Sequence, residues 1–232
     1  PRIIPMAKSA TSSVRTPGVL VTATAAQIPK VTPTDVPRNG GILRIAVPEG
    51  PSHFDVHQEA SAALNSWGPG LVYSRLFEFS SGPNIPMPNS TIVCDLCTGW
   101  EILDSKLLRI FLRDDVHWHN IAPVNGRKLT ASDVVFSYSR QATSDWANSK
   151  LLDVVDKIRK PNEIVIEIIL KQTDAEILQN LADSHSKIVA PEAVKNSGDL
   201  SYGPNIGTGP WIWRKTDSSG SYFDANFHYY VD

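Results

Sequence analysis

The chain has 232 residues, enough to bury a substantial core in one large domain or two small ones. Its 22 Lys and Arg against 24 Asp and Glu give a net charge of −2. The sequence pI is about 6.3, which rules out a global basic face for nucleic acid. No apolar run approaches the roughly 18–20 residues that a membrane helix needs. No charged, then apolar, leader opens the sequence, so the expectation is either a cytosolic protein or one whose secretory segment is missing.

Residues 1–40 are rich in Pro, Ser, Thr and Ala, and Pro29, Pro33 and Pro37 recur every fourth residue, which breaks helix and sheet alike. This stretch reads as a flexible tail or linker. Gly40-Gly41 ends it, and Ile42–Val47, almost wholly aliphatic, is expected to be a strand buried on both faces. Pro48–Asp55 follows as a loop. Asn65 or Ser66 is placed to cap a helix carrying Leu71, Val72, Leu76 and Phe77 at helical spacing. Tyr73 and Phe77 are expected in the core, and Trp67 is split between a core or lid aromatic and a ligand contact. Ser80–Asn89, dense in Pro and Gly, is an irregular crossing.

Cys94 and Cys97 are the only cysteines. A C-x-x-C pair fits a redox site, half of a zinc site, or a local disulfide or pair of thiols. Asp95 and Leu96 between the cysteines, with a strand rather than a helix following, favour the last reading. Trp100–Leu103 and Leu107–Leu112 are short apolar strands about the turn Asp104-Ser105-Lys106. Asp114–Asn125 is a polar loop holding His117, Trp118 and His119. Thr130-Ala-Ser-Asp133 then starts a helix bearing Val134, Val135, Phe136 and Tyr138.

Leu151–Ile158 and Glu163–Leu170 form a hairpin about Lys160-Pro161-Asn162, with Ile164, Ile166, Ile168 and Leu170 on one face. A helix with Ile177, Leu178 and Leu181 follows Thr173–Glu176, and Ser186–Ala190 returns as a strand before a helix at Pro191–Val194. Gly207-Thr208-Gly209 lets backbone approach another chain or a ligand closely. It lacks the Lys-Ser/Thr ending of a phosphate loop. Trp211–Lys215 and Ser221–Phe223 make a last hairpin about Asp217–Gly220.

The order strand, turn, strand, loop, capped helix over residues 99–140 resembles the signature region of family 5 extracellular solute-binding proteins, the receptors of oligopeptide, dipeptide and nickel ABC importers. The matching residues are Gly99-Trp100-Glu101, Leu108–Arg113, Val116-His117-Trp118-His119 and Leu129–Arg140. Asn120 stands where the family usually has Asp, and several extra residues precede Gly126. Gly207–Trp211 is similar to the family's "GTGPY".

The resemblance implies an α/β fold: a periplasmic-binding-protein-like type II lobe with a mixed sheet, flanking helices and an inserted β-rich subdomain. It implies a first-lobe core from residues 41–60 and 186–232, an inserted α/β subdomain at 61–185, and a second lobe absent from this chain. It implies an extracytoplasmic receptor, in the periplasm or lipid-anchored at the cell surface, that traps solute between two lobes and delivers it to ABC permease subunits in the membrane. The expected ligand is an oligopeptide; nickel, an oligosaccharide, or a non-transport sensor role are the alternatives. The expected contacts are Ser52, His53, Phe54, Asn65, Ser66, Trp67, Gly207, Thr208 and Gly209. No enzyme activity and no cofactor is expected, since the sequence carries no nucleophile elbow, no H-E-x-x-H and no P-loop. His117 and His119 are secondary metal candidates, with a structural hydrogen-bonding role favoured for His119. Phe54, Trp67 and Trp211 suit peptide or sugar stacking.

Overall fold

Alternating apolar residues build the central layer. In the computed structural model, which describes residues 40–143 and 145–231, Cys97–Asp104 (β3) and Leu107–Leu112 (β4) form a hairpin. Val155–Asn162 (β5) and Val165–Leu170 (β6) form a second, and the sheet order is β3-β4-β6-β5. Leu108, Ile110 and Leu112 of β4 and Ile166, Ile168 and Leu170 of β6 all point inward, as a period of two requires. Every pairing among the described strands is antiparallel. Two smaller ribbons flank the sheet: Phe77–Phe79 (β1) with Ile92–Cys94 (β2), and Trp211–Asp217 (β7) with Gly220–Ala225 (β8).

Among the described residues four α-helices complete the α/β arrangement: Ala62–Asn65 (α1), Ala131–Gln141 (α2), Ile177–Ala182 (α3) and Pro191–Ser197 (α4). Helix α2 begins where Thr130 N–H donates to Asp133 Oδ2 at 2.9 Å, one arm of a capping box. It buries Val134, Ser137 and Tyr138. Cys94 and Cys97 are disulfide-bonded across the β2–β3 turn, with Cα atoms 5.0 Å apart.

Several local expectations change. The tail assigned to residues 1–40 lies, up to residue 39, outside the described residues. Ile42–Val47 is not a strand: no described strand lies alongside to pair its backbone, and Ile42 and Ile45 are 83% and 70% exposed. The helix expected after Ser66 does not form, because Gly68, Pro69 and Gly70 interrupt it. Instead Ser61 caps the short α1, Ser66 ends it, and a single 3-10 turn covers Pro69–Val72. Leu76 and Phe77 are buried all the same, and Phe77 opens β1. The Lys160–Asn162 turn sits two residues later, at Glu163-Ile164, leaving Ile164 45% exposed. Ser186–Ala190 is buried but contributes one isolated bridge, Arg75 to Lys187, instead of a strand.

Candidate functional site

The loop after Pro51 is held from beneath by a buried carboxylate. Asp55, fully buried, accepts from the His57 and Leu200 backbone N–H groups, each at 3.2 Å. It also takes a two-pronged ion pair from Arg140 of α2, whose Nη1 lies 2.9 Å from Oδ1 and whose Nη2 meets Oδ2. Burial pushes the Asp55 carboxyl up, and the Arg140 guanidinium outweighs it, so the net shift is downward. His57 packs beside the pair. Its Nδ1 accepts from Arg140 at 3.0 Å, which leaves Nε2–H to donate to the Lys187 carbonyl at 2.8 Å. Burial, then the Arg140 charge, hold the His57 imidazole neutral down to about pH 4.

On this footing Phe54 is half-buried with its ring 5.6 Å from Trp213 of β7. Its backbone N–H donates to the Ser201 carbonyl at 2.9 Å. Ser52 and His53 turn the other way: Ser52 Oγ donates to Glu59 at 2.5 Å, and His53 Nε2 lies 3.2 Å from the same carboxylate oxygen.

The second cluster surrounds the 3-10 turn. Asn65 is buried, and its Oδ1 has no partner among the described residues. Ser66 is exposed, and Trp67 Nε1–H donates to the Glu49 carbonyl at 3.0 Å. The third cluster, Gly207–Gly209, packs on the end of that turn. Gly209 N–H donates to Val72 O at 2.9 Å, and a Cβ at Gly207 would stand 2.0 Å from Val72 O. Only glycine admits that approach. Thr208 lies between them, fully buried, its hydroxyl unpartnered among the described residues.

His119 fastens this segment from behind. Its backbone N–H donates to Gly207 O at 2.9 Å and its Nε2–H to Gly209 O at 3.0 Å. Its Nδ1 faces the Gly207 N–H at 3.5 Å. Burial lowers the His119 pKa, so the ring is neutral and both nitrogens are committed. His117 is exposed, with Nδ1 3.2 Å from the Asp115 carbonyl. Among the described residues no three His, Cys, Asp or Glu side chains are grouped to hold a metal.

Asn65 and Gly207–Gly209 thus meet at the Pro69–Val72 turn and Phe54 meets Trp213 of β7, whereas Trp67 bonds Glu49, and Ser52 and His53 are drawn toward Glu59. The residues that fix this geometry, Asp55, His57 and Arg140, were not singled out in the sequence. The one visible signal is an Asp and a His either side of Val56, in a loop whose other partner for the carboxylate is the neutral amide of Gln58, donating to Oδ2 at 3.0 Å. A second such network joins Arg127 to Asp133 at 2.7 and 2.8 Å and to Glu192 at 2.5 and 2.7 Å. It ties α4 to the start of α2, and Trp118 Nε1 adds a 3.4 Å contact to Asp133.

Among the described residues one grouping has the composition of a nucleophile with a base. Asp183, Ser184 and His185 are adjacent, yet both partners engage the same His185 nitrogen, Nδ1, at 2.6 and 3.4 Å. A base relay needs both ring nitrogens. Separately, a cleft of about 360 Å³ opens between the 117–126 loop and the β7–β8 hairpin. None of the nine expected contact residues lines it.

Three comparisons bear on this geometry. The model of "Bacterial extracellular solute-binding proteins, family 5 Middle" matches residues 91–232. The dipeptide-binding protein of Escherichia coli (strain K12) is 29% identical over 161 residues, covering 60% of this chain and 29% of the relative. The HTH-type transcriptional regulator SgrR of Photorhabdus laumondii is 29% identical over 133 residues, covering 57% of this chain and 22% of that protein. Among solved structures, the periplasmic binding protein DppA from Helicobacter pylori in complex with peptide STSA superposes with TM-score 0.68 at 20% identity, over 79% of this chain and 38% of that one. NikZ from Campylobacter jejuni in complex with Ni(L-His) gives TM-score 0.63 at 24% identity, over 79% and 35%. The chain spans about a third of the length of the curated relatives it matches.

Proposed function

Because the chain belongs to family 5 of the bacterial extracellular solute-binding proteins, we propose that it forms the amino-terminal lobe of a receptor that captures small peptides for an ABC importer. In this reading a second lobe closes over the surface around Phe54, Trp67 and Gly207–Gly209, and the closed form docks on membrane permease subunits outside the cytoplasm. No bond is made or broken. Residues 41–60 and 186–232 serve as the core of the lobe, with 61–185 inserted. The ties from Phe54, Asp55 and His57 to Ser201, Leu200 and Lys187 support that division.

The observation that carries the proposal is the half-buried Phe54 ring against Trp213, together with two buried polar atoms, Asn65 Oδ1 and Thr208 Oγ1, that have no partner among the described residues. Such a surface suits an extended peptide, whose side chains find apolar neighbours while its main chain supplies partners for the unpaired polar groups. Lipid anchoring is a family expectation that this reading retains; no described helix is long and apolar enough to cross a membrane.

Native mass spectrometry of the full-length protein, purified without denaturation, tests it. A ladder of co-purifying peptide masses, lost in Phe54→Ala and Trp67→Ala, is the expected result. A single nickel or sugar mass would replace peptide with that ligand. The matches to SgrR regulators favour one second reading, a solute-sensing module outside transport. A neighbouring locus encoding permease and ATPase subunits supports the importer, and a fused DNA-binding domain supports the sensor.

A further inference from the structure

The cleft between the 117–126 loop and the β7–β8 hairpin is lined by eleven residues, none of them Asp or Glu. Its polar lining is one of donors and imidazoles. Arg214 bonds Asp224 through Nε alone, at 2.7 Å, so its two terminal nitrogens have no partner among the described residues. Asn120, also in the lining, is exposed and its side-chain amide makes no hydrogen bond among the described residues. Asn226 is already committed: Nδ2 donates to Gly209 O at 3.0 Å, and Oδ1 accepts from the His228 N–H at 3.1 Å. That turn places His228 in the cleft lining together with His117. Arg214 adds, after burial, to the lowering of the His119 pKa.

Trp118, Ile121 and Ile212 supply the apolar part of the lining. A planar guanidinium with two free terminal donors beside a free amide matches the two oxygens of a carboxylate group, while Asp224 occupies only its Nε. The apolar wall matches a short hydrocarbon or aromatic body attached to it. We propose that this cleft is a second ligand site, taking a small organic carboxylate, separate from the surface formed by Phe54, Trp67 and Gly207–Gly209.

The test is a titration of the full chain with benzoate, followed by 1H–15N NMR, with benzamide as the uncharged match in shape. Benzoate is expected to shift the Arg214 Nε–H, the Asn120 side-chain amide and the Gly126 N–H in a saturable way, and benzamide is not. Arg214→Gln is expected to weaken binding about tenfold or more, the scale of losing a hydrogen bond to a charged group. Asn120→Ala should weaken it severalfold. Both side chains are exposed, so each variant should keep the wild-type spectrum elsewhere. Equal binding of benzamide, unchanged affinity in Arg214→Gln, or saturation by inorganic phosphate while benzoate is silent would each overturn the assignment. Peptide capture at the Phe54 surface is read independently, because its contacts lie outside these three probes.

Discussion

Arg140 on α2 and Asp55, 85 residues earlier, form an ion pair with only 9% and 0% of their side chains exposed. The guanidinium also stacks over Trp146 at 4.5 Å, and Asp55 accepts further from two backbone N–H groups and from Gln58 Nε2. The loop that presents Phe54 therefore rests on a charge whose neutraliser comes from a helix in another segment. Removing one partner strands the other in a low-dielectric setting. Arg140→Leu is expected to cost about 3–5 kcal/mol, read as a lower urea midpoint. The double variant Arg140→Leu/Asp55→Leu should recover part of that loss, because no unpaired charge remains.

The same cluster sets an acid limit. His57 in the unfolded chain takes up a proton near pH 6.5, whereas in the folded chain it holds off until about 4. Between those values the unfolded state binds more protons, so stability falls as pH drops through that window, by roughly 3 kcal/mol in all. Asp55, whose folded pKa is lowered, adds a further loss at still lower pH as its carboxylate is protonated. Urea unfolding between pH 7 and 4 should show the slope, and His57→Gln should flatten it.

Lys187 acts in the opposite range. Its amine is buried with the Tyr73 carbonyl as partner at 3.2 Å, and burial lowers its pKa to about 7. Arg75 adds to that lowering, while Asp95, Glu78 and Asp183 oppose it. From about pH 7 to 10.5 the unfolded state binds the extra proton, so this group makes stability rise with pH across that window. Lys187→Met is expected to be more stable than the parent at pH 7 and to lose the alkaline rise. Thermal melts at pH 7 and 9 decide it.

Glycine at 207 is a steric requirement. Gly207→Ala drives a methyl against Val72 O and is expected to destabilise by about 3 kcal/mol or more. Gly99→Ala meets nothing within 4 Å and should be near neutral. His119→Phe removes the donor to Gly209 O and should cost about 1–3 kcal/mol, with faster amide exchange at Gly207.

The Cys94–Cys97 disulfide closes a short loop at the β2–β3 turn. Reduction is expected to lower stability by about 2 kcal/mol, the entropy of so small a ring. Urea titrations with and without dithiothreitol measure it.

Local pattern decided the β3–β4 hairpin, the second hairpin, the start of α2 at Thr130 and the β7–β8 ribbon, because a period of two and a capping box are written in adjacent residues. It also placed Gly207–Gly209 where backbone comes close. Pattern failed at Ile42–Val47, where an aliphatic run forms a strand only if another strand lies alongside, and after Ser66, where two glycines and a proline outweighed helical spacing. The Asp55–Arg140 pair, the His119 bridge to Gly209 and the carboxylate-free cleft could not be read in advance. Each depends on side chains from distant segments meeting in space, and a linear sequence records which groups exist but not which charges are brought out of water together.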